Sequence, residues 1–191
     1  MFTDFKIAAA MTNHFHQPIV DSIHADEFLN IIRQKIDTSN LLHMYVERHR
    51  LNHRRVDFQR IEASQIENFP SMTEEDIILL VLGTYQLKLA RSYCAEHLSN
   101  GLYIIETYRE GALEDLPDYG IHEDAWLLRG RIQSRHVRVK TYFCYILINN
   151  ANTIFQQYCT CLTGRRTMGT CAHIVSIVWY LGYARHTGIF P

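Results

Sequence analysis

The chain has 191 residues, 47% hydrophobic and 20% charged, which is enough apolar material for one ordinary domain or two small ones and excludes wholesale disorder. Its net charge of −1 conceals a division: residues 1–124 hold every Asp and Glu, whereas residues 125–191 hold eight Lys and Arg and no acid. The longest apolar run, Ile174 to Ala184, falls short of the ~18 residues a membrane span needs, so no membrane partner is expected.

In chain order, the first piece is apolar from Phe5 to Phe15, and its alanines favour helix. It begins abruptly, so residues 1–22 read as the tail of a larger upstream unit; they resemble neither a signal peptide nor a transit sequence. From Asp26, a plausible N-cap, Leu29, Ile32 and Ile36 recur at helical spacing until the DTSN stretch at 37–40. A second short helix is expected from Leu41 to about Arg50. It leads into RHRLNHRR at 48–55, either a nucleic-acid patch or a solvated helix end. Beyond Pro70, Ser71 or Thr73 can cap a helix whose first turn holds Glu74, Glu75 and Asp76. Without proline from Ile77 to Leu98, it reads as one long helix ended by Asn100-Gly101. Gly83 inside it implies a close packing contact.

After Gly101 the period changes to that of strands. Leu102–Tyr108, Trp126–Gln133, Lys140–Asn149 and Thr153–Tyr158 are candidates, with an acidic loop at 109–124 and a turn at Asn149-Asn150. Ala172 to about Arg185 is apolar nearly all round and reads as a buried helix. Strict alternation along Leu127–Arg135 puts Arg129, Arg131, Gln133 and Arg135 on one face, where a surface tracking a phosphate backbone could form. The alternative is that the basic and acidic parts neutralise each other across an internal interface. Arginine supplies 15 of the 19 cations, and its planar fork suits phosphate and guanine better than lysine does.

The sharpest signal lies at residues 158–173, YCTCLTGRRTMGTCAH, which holds Cys159-x-Cys161, nine intervening residues and Cys171-x-His173. An odd count of five cysteines without a secretion signal argues against a disulfide framework and for reduced intracellular thiols. Three thiolates and an imidazole form a closed tetrahedral set for Zn²⁺, leaving no open position for water, so the site should be structural. Tetrahedral ligands on zinc sit roughly 3.8 Å apart, whereas alternate side chains on a flat strand project about 6.5 Å apart. Each pair must therefore bend: the first at a curling strand end, the second at the turn entering the last helix. Gly164 and Gly169 allow the loop between them, and its tip carries Arg165 and Arg166 towards solvent. Cys94 and Cys144 read as core residues. The acids at Glu74–Asp76 and Glu123-Asp124 have no partner at a spacing that would assemble a nuclease centre, and His14-x-His16 reads as a surface pair.

The pattern C-x-C-x9-C-x-H followed by an apolar helix resembles the SWIM-type zinc finger. The runs at 127–136 (LLRGRIQSRH) and 177–186 (IVWYLGYARH), the stretch Thr73 to Leu98, and Lys6 to Met11 are similar to the C-terminal part of transposon-derived DDE endonuclease-like proteins that carry such a finger. The resemblance implies zinc held by Cys159, Cys161, Cys171 and His173, and DNA or protein as partner. It carries over no catalytic residue, because the family's catalytic acids are expected upstream of residues 6–18. The expectation is an α+β protein that is not an enzyme: a helical region over 23–100, then a small antiparallel sheet with a SWIM-type finger and a C-terminal helix over 101–191, with its core at 140–186. Arg129, Arg131, Arg135, Arg165 and Arg166 are the candidate nucleic-acid contacts. DNA is the expected partner, in the nucleus, and an acidic protein partner, or the chain's own loop 109–124, is the alternative.

Overall fold

The computed structural model describes residues 2–15, 22–54, 57–99, 103–108, 115–121, 125–134, 137, 139–149, 153–164 and 169–189. Three helices open the chain: α1 (Phe2–Phe15), α2 (Ala25–Lys35) and α3 (Leu41–Arg48). Neither α1 nor α2 is folded into the core. Phe5 and Phe15 of α1 are 80% and 75% exposed, and α2 has no buried residue. The residue before α2 is His24, whose side chain makes no capping bond, so Asp26 lies in the first turn and is not the cap. By contrast α3 buries Leu42, Tyr45 and Val46, and its N-cap Asn40 accepts a hydrogen bond from the His43 amide.

The expected long helix is two helices, α4 (Glu74–Val81) and α5 (Tyr85–Ser99). Thr73 and Asp76 form a reciprocal capping box at the start of α4, as the acids in that turn foretold. Its end is a left-handed Leu82 (φ 57°) followed by Gly83 at φ 144°. Gly83 is therefore a backbone requirement and not a packing contact, because a Cβ placed there would meet nothing within 4 Å.

Five antiparallel strands follow one another across a single sheet: β1 (Phe58–Arg60), β2 (Tyr103–Tyr108), β3 (Trp126–Gln133), β4 (Thr141–Ile148) and β5 (Ile154–Cys159). Four match the expected strands. The edge strand β1, from the stretch expected to be helical, adds residues before 101 to the sheet. The cross-strand row Ile105, Gly130, Cys144, Cys159 faces one core, and the next row, Glu106, Arg129, Tyr145, Tyr158, faces the other. The first core is closed by α4, α5 and α6 (Ala172–Trp179), the second by α3 and the turn at Leu116–Tyr119. Both faces of the sheet are thus covered along these rows, which is why β4 reads as a nearly continuous apolar run and why Arg129 of β3 is buried.

Every residue of α6 except His173 is buried. The helix continues through a π turn at Tyr180–Ala184 and one last α turn to Gly188, whose φ of 67° ends it. The π turn lets the Gly182 carbonyl accept a hydrogen bond from the Met72 amide at 2.8 Å, tying this helix to the start of α4. Arg185 Nη1 donates to the carbonyls of Ala63 and Ile66 at 2.7 and 2.8 Å, so this cation of the basic third is spent inside the molecule.

Candidate metal centre

Two chain segments build the centre. The first is the turn leaving β5, where the Cys159 amide donates to the Gly164 carbonyl at 3.1 Å and the chain folds back. That turn resolves the spacing conflict of a C-x-C pair on a strand: Cys159 ends β5 and Cys161 already lies beyond it. Sulfur then takes up the turn's amides, Cys161 N–H donating to Cys159 Sγ at 3.5 Å and Gly164 N–H to Cys161 Sγ at 3.1 Å. Glycine is required at 164, since a Cβ there would stand 2.3 Å from Cys159 Cβ and 2.7 Å from its carbonyl oxygen.

The second segment is the entry to α6. Cys171 is its N-cap residue, with extended φ and ψ and no side-chain capping bond, and His173 lies in the first turn. The N-terminal end of the helix dipole, its positive end, therefore faces the sulfurs. One ligand atom from each of Cys159, Cys161, Cys171 and His173 lies within 4.8 Å of all the others, and the three cysteines are buried. No other group of metal-binding side chains of this kind occurs among the described residues.

The donor set fits zinc. His173 Nδ1 is 3.9 Å from Cys159 Sγ, close to the separation expected of two tetrahedral ligands on one ion. Its Nε2 is buried and makes no hydrogen bond, so among the described residues no carboxylate or carbonyl claims the ring. The imidazole is held by aromatic contacts, 4.6 Å from the Tyr142 ring and 5.0 Å from the Tyr93 ring between centroids. The thiols of Cys159 and Cys171 donate to Cys161 and hold its sulfur far below the ordinary thiol range. Cys159 is pushed up by its contacts with Cys144 and then Cys161, and Cys171 by Cys159 and then Cys161. Three thiolates crowded into one buried site repel each other, and a divalent cation removes that repulsion.

Cys144 is the neighbour that sequence reasoning placed simply in the core. It is buried, as expected, but its Sγ lies 3.6 Å from Cys159 Sγ across the β4–β5 pairing. Only the strand register brings these sulfurs together; a separation of 15 residues gives no sign of it. Cys94, also in the core, donates its thiol to the Ser176 carbonyl at 3.1 Å.

The five arginines proposed for nucleic acid are not equivalent. Arg129 is 1% exposed, which overturns its assignment to an open face. Its Nε donates to Glu106 Oε2 at 2.7 Å, its Nη1 to the carbonyls of Leu51 and Arg54, and its guanidinium stacks 3.5 Å from the Phe58 ring centroid. Arg131 is partly exposed, with its Nε 3.3 Å from Glu106 Oε1. Glu106, from the acidic part, thus neutralises two cations of the basic part within the molecule. Arg135, Arg165 and Arg166 lie outside the described residues. Of the other acid groups, Glu74 pairs with Arg91 at 2.6 Å, while Glu123 and Asp124 lie outside the described residues.

Comparison with protein-family models, with curated proteins and with solved structures finds no match to this chain. No helix is long and apolar enough to cross a membrane among the described residues.

Proposed function

We propose that the chain is a zinc-binding module of the SWIM type that contacts DNA and represents the non-catalytic C-terminal part of a transposase-like protein. The observation that carries this reading is the convergence of Cys159, Cys161, Cys171 and His173 on one buried point. With four protein ligands the ion has no position for substrate or water, so its work is to clamp the end of β5 to the start of α6. DNA contact is supported by the lack of any Asp or Glu beyond residue 124. Arg131, Arg135, Arg165 and Arg166 are the contacts; Arg129 is withdrawn from that set.

A protein partner is the second reading, and it has an observation of its own. Val139 and Leu162 are 95% and 94% exposed. Both belong to connections at the same end of the sheet, since Phe143 N–H donates to Thr160 Oγ1 and Thr160 N–H to the Phe143 carbonyl.

Metal analysis of the purified chain tests the zinc assignment, with one equivalent expected and its loss in Cys171→Ser. Fluorescence titration with duplex DNA across a salt series tests the partner. With three or four phosphates neutralised, log affinity falls against log salt with a slope of about −3 to −4. A flat response refutes DNA contact. Pull-down by an acidic protein that is lost in a Leu162→Ser, Val139→Ser double variant favours the second reading.

A further inference from the structure

We propose that Cys144 and Cys159 are a disulfide-forming pair, and that their oxidation expels the metal from the centre. The inference rests on the zinc reading above for its consequence, and on the strand geometry for its chemistry.

Cys144 and Cys159 are directly opposed in the β4–β5 ladder. The ladder bond beside them runs from Thr160 N–H to the Phe143 carbonyl, and the Cys159 amide turns away to Gly164. The two cysteines therefore occupy a non-hydrogen-bonded position, where opposed Cα atoms approach to about 4.5 Å, inside the range a disulfide spans. Their sulfurs are already 3.6 Å apart, leaving about 1.5 Å for side-chain rotation to close to a disulfide bond. The competing bond between Cys159 and Cys161 would close a very small ring through one intervening residue. Cys144 is also outside the ligand set, so its thiol is not engaged by the ion.

Hydrogen peroxide is the oxidant. The Cys159 sulfur attacks one peroxide oxygen, the O–O bond breaks, the departing hydroxide takes the Cys159 thiol proton, and sulfenic acid and water are formed. The Cys144 sulfur then attacks the Cys159 sulfur, the S–O bond breaks, and the departing hydroxide takes the Cys144 proton and leaves as water. Two sulfurs are oxidised by one electron each and peroxide is reduced by two. Cys159 no longer offers a thiolate, and three donors remain where four held the ion. A thiol reductant reverses the step.

The zinc-loaded and the zinc-stripped full chain are each treated with peroxide, the remaining thiols are alkylated, and the products are mapped by peptide mass spectrometry. A chromogenic chelator follows zinc release in parallel. The expected product is a peptide pair joined through Cys144 and Cys159, with Cys94, Cys161 and Cys171 alkylated, one equivalent of zinc freed, and both changes reversed by dithiothreitol. Cys144→Ala is expected to bind zinc as the parent does and to release it at least several-fold more slowly under peroxide. Cys159 found joined to Cys161 or Cys171, or zinc released with Cys144 still alkylatable, overturns the proposal. Peptide mapping of the parent chain decides this even if the Cys144→Ala variant fails to fold. Failure of the zinc reading shows separately, as a reduced chain that binds no zinc before any oxidant is added.

Discussion

Arg129 Nε donates to Glu106 Oε2 at 2.7 Å across the β2–β3 pairing, with both side chains buried beneath Phe58. Removing Arg129 leaves Glu106 with Arg131 as its one cation and takes the donor from the Leu51 and Arg54 carbonyls, at a cost of about 3 kcal/mol, the low end for breaking a buried pair. Arg129→Ala is expected to lower stability by that amount in urea unfolding. Arg129→Lys is also expected to destabilise, because an ammonium cannot serve Glu106 and two carbonyls at once or stack flat on Phe58. The salt slope of DNA binding should be unchanged in folded Arg129→Ala, which removes the charge, and a shallower slope would return this residue to the interface.

Gly164→Ala is expected to damage the centre without touching a ligand. Its methyl group would occupy space held by Cys159, and the amide bond to Cys161 Sγ would be displaced. Loss of an outer contact of this kind lowers metal affinity about 10- to 100-fold. Competition with a chelator of known affinity measures it, and an unchanged affinity would refute the turn's role.

Zinc loading should release protons. In the metal-free centre the neighbouring thiols draw Cys161 below the ordinary thiol range, while Cys159 and Cys171 are pushed above it. Metal binding expels one proton from each of these two, so affinity drops as pH falls, by about tenfold per pH unit for each proton displaced. Calorimetry in buffers of differing ionisation enthalpy reads that number directly. Release of one proton per cysteine from all three would show that Cys161 is an ordinary thiol.

Tyr145 gives the fold an alkaline limit. Its hydroxyl donates to Asn52 Oδ1 at 2.9 Å, and burial pushes the phenol above its ordinary value of 10, against a smaller opposing pull from Arg129. The folded state therefore prefers the protonated phenol. That stabilisation is complete below pH 10 and is lost as pH rises beyond it. Alkaline unfolding is expected to be shallower in Tyr145→Phe, which at neutral pH loses about 1 kcal/mol with its hydrogen bond.

How much of this was readable beforehand depended on range. The four candidate ligands lie within 15 residues and are of types that only a soft, closed site explains, so composition and spacing sufficed. Strands β2 to β5 followed from alternation and turn residues. Strand β1 did not, because three residues carry no period and Phe58 is buried against Tyr108, Tyr145 and Arg129, all distant in sequence. The face holding Arg129 and Arg131 was read correctly as a face and wrongly as open. Its cover, Glu106 and the carbonyls of Leu51 and Arg54, comes from residues 23 to 78 positions away. The break after Val81 hid behind a run of good helix formers, where a left-handed Leu82 is set by tertiary context and not by propensity.

The two rims of the sheet are both guarded. On one, β1 is only three residues long; on the other, Asn40 Nδ2 donates to the Gln157 carbonyl of β5 at 2.9 Å, and the strand then folds away at Cys159. Neither rim offers a long open rail of amides and carbonyls to a strand from another chain. Pairing with a strand from another chain is thus disfavoured at both described edges, whereas α1 presents Phe5 and Phe15 uncovered.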